Sequence, residues 1–225
     1  MSQQENLWID VDEYYAATLA RPDDALDAAL RASVAAGLPE ISVSACQGRM
    51  LQLLAQMQQA RNILEIGTLG GYSTIWMARA LPAGGRMVTL EVSPHHATVA
   101  RVNLTHAGLA DVVDVRIGPA LDTLPLLAAE GLAPFEFTFI DADKANNPEY
   151  FAWALKLSRN GGVIVVDNVV RDGKVLDAAS TDASVRGVRR LTALIAATPH
   201  VTATTVQTVG AKGYDGFILA RIAVE

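Results

Sequence analysis

The sequence is short of several things, and each shortage removes a class of protein. It has one cysteine, Cys46. A lone thiol forms no internal disulfide and builds no cysteine zinc site, which excludes a stapled secreted scaffold. Basic residues are also few, with 18 Lys and Arg against 24 Asp and Glu and a formal net charge of -6. Nucleic-acid binders normally carry a basic excess, so this balance argues against them. No apolar run approaches the roughly 18 residues of a membrane span. Residues 1–15 are polar and acidic, the reverse of a signal peptide. Internal repeats and low-complexity tracts are absent from the sequence. What is there is 225 residues, 51% of them hydrophobic, enough for one sizeable core. The expectation is a soluble cytoplasmic protein that handles a small molecule, with neither nucleic acid nor membrane as partner.

Short β-rich runs at 62–66, 86–91, 112–117, 135–141 and 162–167 alternate with helical patterns at 71–81, 94–107, 120–129 and 146–158. The runs recur about every 25 residues, the length of a strand plus a crossover helix. Ser93 before Pro94 reads as an N-cap with proline at the first helical position. Val163-Ile164-Val165-Val166 is apolar at successive positions, as in a strand covered on both faces. Before Asn62 only helical patterns occur, at 11–20, 24–36 and 44–59. After Asp167 come a polar stretch, 171–184, a helix at 185–197, and β-rich runs at 201–209 and 216–222. The last two read as a hairpin, with Tyr214-Asp215-Gly216 fitting its turn. The fold class is therefore α/β, a doubly wound, mostly parallel sheet of seven strands that closes in an antiparallel hairpin. This predicts a single domain, with 62–225 as the α/β core. Residues 1–61 become a helical cover serving as lid, substrate wall or dimer surface.

Ligands of an open parallel sheet bind outside the carboxyl ends of its strands. Here those ends carry acids. The first strand runs into Glu65-Ile66-Gly67-Thr68-Leu69-Gly70-Gly71, the second ends at Glu91, the fourth at Asp141 and the fifth at Asp167-Asn168. The glycine turn lets main-chain N–H groups approach a ligand closely. Glu91, twenty residues past Gly71, is suited to gripping ribose hydroxyls. Leu69 takes the place of the middle glycine of G-x-G-x-x-G and would crowd a pyrophosphate. That favours a nucleoside without a diphosphate. Asp141, Asp167 and Asn168 offer three oxygen side chains with no His or Cys nearby, a set that suits a hard cation. The alternative is that these acids cap helices, satisfy loop backbone or face water.

Together these residues resemble the cation-dependent O-methyltransferases, the family of catechol and caffeoyl-CoA O-methyltransferases. The likeness runs from about Tyr14 to Ile222. Its most specific parts are the glycine turn continued through Tyr72-Ser73, then Ile140-Asp141-Ala142-Asp143-Lys144, then Val166-Asp167-Asn168. Ile41-Ser42-Val43, with Gly48 and the leucines Leu51, Leu53 and Leu54, matches the segment before the first strand. The resemblance implies a Rossmann-like methyltransferase fold and S-adenosylmethionine (SAM) as cofactor, lying over the turn that contains Glu65, Gly67, Leu69 and Gly71. It implies Ser42, Val43, Gly67 and Ser73 on the methionine side, Glu91 on the ribose, and Gly118 and Ala120 near the adenine. It implies Asp141, Asp167 and Asn168 as ligands of a divalent cation, Mg²⁺ first with Mn²⁺ or Ca²⁺ as alternatives. Asp141 would also lie near the methionine end of SAM, and Lys144 would be the general base. A small phenolic acceptor and a homodimer follow by the same analogy.

The chemistry supports those roles. A phenol, with a pKa of about 10, is mostly protonated at neutral pH and must become a phenolate to attack a sulfonium methyl. A cation on its oxygen favours the anion. A lysine acts as base only as the free amine, which burial and a nearby cation both favour. Two other functions compete, a non-catalytic SAM-binding protein and a nicotinamide-dependent oxidoreductase. The retained Asp141, Lys144, Asp167 and Asn168 argue against the first. Leu69, the closing hairpin and the lack of a Tyr-x-x-x-Lys helix argue against the second. His95, His96, His106 and His200 have no partner motif. Cys46, Trp76 and Trp153 read as packed core, and Trp8, Tyr14 and Tyr15 as core or interface.

Overall fold

The structure is a computed structural model and describes residues 2–223. Three helices come first: α1 (Gln3–Thr18), α2 (Asp24–Ala35) and α3 (Ala45–Met57). Strands and helices then alternate as β1 (Asn62–Ile66), α4 (Tyr72–Ala78), β2 (Arg86–Glu91), α5 (Pro94–His106), β3 (Val113–Ile117), α6 (Ala120–Ala129) and β4 (Phe135–Ile140). A 3₁₀ turn, Lys144–Asn146, leads into α7 (Asn147–Leu157), β5 (Ser158–Asp167), α8 (Ala183–Ala196), β6 (Val201–Gly210) and β7 (Gly213–Ile222). The sheet order is β3-β2-β1-β4-β5-β7-β6. β1 to β5 pair in parallel, and β7 is antiparallel to both of its neighbours, β5 and β6. This is the Rossmann-like, mostly parallel seven-stranded sheet expected of the sequence.

Alternation along the strands divides the core. In β1, Ile63 joins the cluster on one face of the sheet, while Leu64 and Ile66 join the cluster on the other. Phe137 and Phe139 of β4 pack with the first set, and Ile164 and Val166 of β5 with the second. Both faces are covered, which is why apolar residues predominate on both alternations of these strands. Truncating any one of the fully buried Phe135, Phe137 or Phe139 to alanine should cost about 3–5 kcal/mol.

Strand order reverses between β1 and β4, so the crevice at their carboxyl ends is the switch point. The two ends touch: Asp141 N–H donates to the Ile66 carbonyl at 2.8 Å. Gly67 is required there. Its φ is +103°, and a Cβ would stand 2.2 Å from the Asp141 carbonyl oxygen.

Several boundaries differ from the sequence reading. α1 begins at Gln3 rather than near Val11, because Ser2 and Glu5 form a full capping box. α4 ends at Ala78, short of the expected 81. β5 starts at Ser158, directly after α7, instead of at Gly162. The hairpin turn is Ala211-Lys212, flanked by the paired Gly210 and Gly213, the latter at φ +84°. Tyr214-Asp215-Gly216 therefore lies in β7 and not in the turn. The Asp215 carboxylate accepts instead from the backbone N–H groups of Val170 and Arg171, at 2.9 and 3.0 Å. Trp76 is core as expected, whereas Trp153 is only half-buried, with the Lys156 ammonium 4.5 Å from its ring centroid. No residue of α1 is buried, so Trp8, Tyr14 and Tyr15 are not part of this chain's core. Among the described residues, no helix is long and apolar enough to cross a membrane.

Candidate active site

A cavity of about 1050 Å³ opens at the switch point. Its wall includes Ser42, Val43, Gly67, Leu69, Ser73, Glu91, Gly118, Ala120, Asp141, Lys144, Asp167 and Asn168. The topology brings these together from the carboxyl ends of β1 to β5, the starts of the helices that follow them and the segment before α3. A separate open depression beside Arg21 and His106 contains none of them. Glu65 and Gly71, both expected to bind the cofactor, are not on the wall. Gly71 is the left-handed N-cap of α4 and faces Ala100.

Glu65 lies beneath the cavity, fully buried. Its carboxylate accepts from the hydroxyls of Ser73, Thr74 and Thr89 at 2.6, 2.5 and 2.7 Å. Burial outweighs these donors and pushes its carboxyl up to about 7. The Thr89 hydroxyl also meets that of Thr68 at 2.5 Å, which ties the glycine turn to β2.

Glu91 closes the other side of that turn. One carboxylate oxygen accepts from Leu69 N–H at 2.8 Å and Thr68 N–H at 3.2 Å. The second accepts from Ser93 N–H at 2.9 Å and faces His96 Nδ1 at 3.5 Å. Leu69 has a left-handed φ of +51°, a conformation costing roughly 1–2 kcal/mol outside glycine. The bond to Glu91 holds it there.

The β4 and β5 ends supply the oxygen side chains. Lys144 is nearly buried, and its ammonium pairs with Asp141 at 2.6 Å. It is thus neither a surface lysine nor a partner of Asp143, whose carboxylate accepts from Tyr150 Oη and Asn146 Nδ2 at 2.5 and 2.7 Å. Asp167 is buried, and among the described residues its carboxylate oxygens accept from neutral donors alone, Asn168 N–H at 2.8 Å and Gln47 Nε2 at 2.6 Å. Burial and the neighbouring Asp141 charge push the Asp167 carboxyl up to about 7. Asn168 takes a left-handed φ of +55°, which Asn tolerates better than most residues. Among the described residues, no group of three or more His, Cys, Asp or Glu is placed to hold a metal. The donor set is two carboxylates and one amide oxygen.

Comparison with known proteins decides the family. A family model described as O-methyltransferase matches residues 18–222. The chain belongs to the O-methyltransferase family. It is 57% identical over 212 residues to a catechol O-methyltransferase of Niastella koreensis, covering 94% of this chain and 96% of that one. A catechol O-methyltransferase of Mycobacterium tuberculosis is 56% identical, with 99% of each chain covered. Among solved structures, an O-methyltransferase from Bacillus cereus in complex with SAH superposes with a TM-score of 0.95 at 58% identity, covering 96% and 99%. The O-methyltransferase TomG from Streptomyces achromogenes in complex with SAM gives 0.96 at 51% identity over the whole of both chains. The protein is a SAM-dependent O-methyltransferase, and the nicotinamide alternative falls away.

Some wall residues of this methyltransferase escaped the sequence reading. His96 has no partner motif in the sequence, yet the fold brings it to Glu91. Gln47, Tyr150, Arg171 and Lys212 also line the cavity. Only Gln47 left a sequence signal, the S-x-x-Q spacing from Ser44, and that spacing points to helix capping.

Proposed function

We propose that this enzyme transfers the SAM methyl group to one hydroxyl of a small vicinal diphenol, at a divalent-cation site made by Asp141, Asp167 and Asn168. The observation that carries the reading is that one cavity holds two unlike ends. The glycine turn and Glu91 form one, and Lys144 with the three oxygen side chains forms the other. The names of the two catechol O-methyltransferases above support the acceptor class.

The cation fits the residues present. Asp167 is a buried carboxylate beside a second carboxylate, its hydrogen-bond donors are neutral, and a positive charge there would relieve the repulsion. Hard oxygen donors match Mg²⁺, with Mn²⁺ or Ca²⁺ as alternatives. When bound, the cation supplies Lewis acidity that favours the phenolate.

On the cofactor side, Ser42, Val43, Gly67 and Ser73 flank the methionine portion, and Gly118 and Ala120 flank the adenine. The Leu69 backbone shapes the turn. Three backbone N–H groups occupy Glu91, and a carboxylate has about four acceptor sites, which leaves one for a ribose hydroxyl. Lys144 is the base that takes the hydroxyl proton. The phenolate oxygen then forms a bond to the methyl carbon while the carbon–sulfur bond breaks, its electron pair returning to sulfur. Orienting the two reactants supplies up to roughly 7–11 kcal/mol in favourable systems.

The exposed Leu7, Val11 and Tyr14 of α1 and Leu19 just after it, with Val206 and Val209 of β6, support a homodimer. The unpaired Cys46 fits a cytoplasmic setting. The test is incubation with labelled SAM and a panel of vicinal diphenols, with Mg²⁺ or with chelator. Chelator-sensitive methylation is expected. Methylation of diphenols that persists without any cation sinks the cation site, and transfer only to isolated hydroxyls sinks the acceptor class.

A further inference from the structure

α3 opens with Ser44 at its N-cap and Gln47 three residues on, the spacing of a capping box. Half the box is made, since the Ser44 hydroxyl accepts from Gln47 N–H at 3.2 Å. The other half would turn the Gln47 carboxamide back to the Ser44 backbone. α1 shows that arrangement in full, with Ser2 and Glu5 satisfying each other. In α3 the carboxamide leaves its own helix end. Its Nε2 donates to Asp167 Oδ2 at 2.6 Å, across 120 residues of sequence. Gln47 stands on the cavity wall beside Asp167, Asn168 and Asp141.

Two donors thus hold Asp167. Asn168 N–H takes Oδ1 at 2.8 Å and Gln47 takes Oδ2, one for each oxygen, which fixes the rotation of the carboxylate about its terminal bond. Of about four acceptor sites on a carboxylate, two stay open. The chemistry of the donor matters. A lysine or arginine here would neutralise Asp167 and compete with a cation. A carboxamide orients the carboxylate and leaves its charge intact.

We propose that Gln47 is a positioning residue for the cation site, acting through Asp167, so that the N-terminal helical cover is part of the cation-binding machinery. This rests on the cation reading above. Outer partners of metal ligands typically contribute 10- to 100-fold in metal affinity. Gln47→Met keeps the length and volume of the side chain and removes the carboxamide, and with it the donor to Asp167. Gln47→Ala serves as a second variant should the first fold poorly, with a cation-free thermal melt as the check on folding.

The experiment is titration of purified protein with Mn²⁺, following the free ion by electron paramagnetic resonance. Either folded variant should raise the Mn²⁺ Kd by about 10-fold or more. In turnover assays the Mg²⁺ concentration needed for half-maximal rate should rise similarly, while kcat at saturating Mg²⁺ changes much less. A Mn²⁺ Kd within about two-fold of the wild type in the folded variants overturns the role of Gln47 and leaves the cation site standing. Wild-type protein that takes up no Mn²⁺ overturns the cation site itself, and Gln47's role with it.

Discussion

Glu65 offers a quantitative test of the buried network. Its carboxyl is pushed up to about 7 by burial, against about 4.3 for glutamate in an unfolded chain. Between those values the folded protein holds a proton that the unfolded chain has released. Stability from this group is therefore fully present below about pH 4.5 and is lost as pH rises through 7. A difference of about 2.7 pH units, at about 1.36 kcal/mol each, sets a ceiling between about 3 and 4 kcal/mol. Glu65→Gln removes the titration. The amide keeps one acceptor oxygen, and the Ser73, Thr74 and Thr89 hydroxyls can rotate to receive its N–H groups. Asp167, also pushed up to about 7, titrates in both proteins and cancels in the comparison. Urea unfolding followed by circular dichroism across pH 5–8 should show the wild type losing about 2–3 kcal/mol more than the variant. Parallel stability curves would refute the claim that burial dominates over the three hydroxyl donors.

Three further outcomes follow from the same geometry. Lys144→Ala should hold SAM within about two-fold by calorimetry and lose at least about 100-fold in turnover; unchanged turnover at neutral pH removes Lys144 as base. Glu91→Ala frees the Thr68, Leu69 and Ser93 N–H groups together, so SAM affinity should fall at least about 10-fold by the same calorimetry. Gly187 in α8 stands against the 3₁₀ turn, where a Cβ would meet the Lys144 carbonyl oxygen at 2.0 Å. Gly187→Ala must push that backbone aside, lowering stability by roughly 1–3 kcal/mol in thermal melts and lowering kcat through Lys144.

The parts of the fold that could be read in advance are those governed by local rules. Ser93-Pro94 starts α5 because capping and a fixed proline φ act within one turn. The apolar Val163 to Val166 run in β5 is visible because both faces of the strand are covered. The parts that misled are those where a distant group took over a local signal. Tyr214-Asp215-Gly216 has turn chemistry, yet Asp215 spends its oxygen on the loop after β5.

Strand period and crossover length are written in neighbouring residues, and they were enough for the class of fold and the rim on which the acids lie; the family came from the likeness of three short motifs, the glycine turn, the segment around Asp141 to Lys144 and Val166-Asp167-Asn168. It took the folded chain to put Glu65 under the cavity, to pair Lys144 with Asp141, and to bring His96 and Gln47 to the site. Those facts depend on which strand ends meet at the switch point and on what burial does to a charge, and neither is a property of any short stretch of chain.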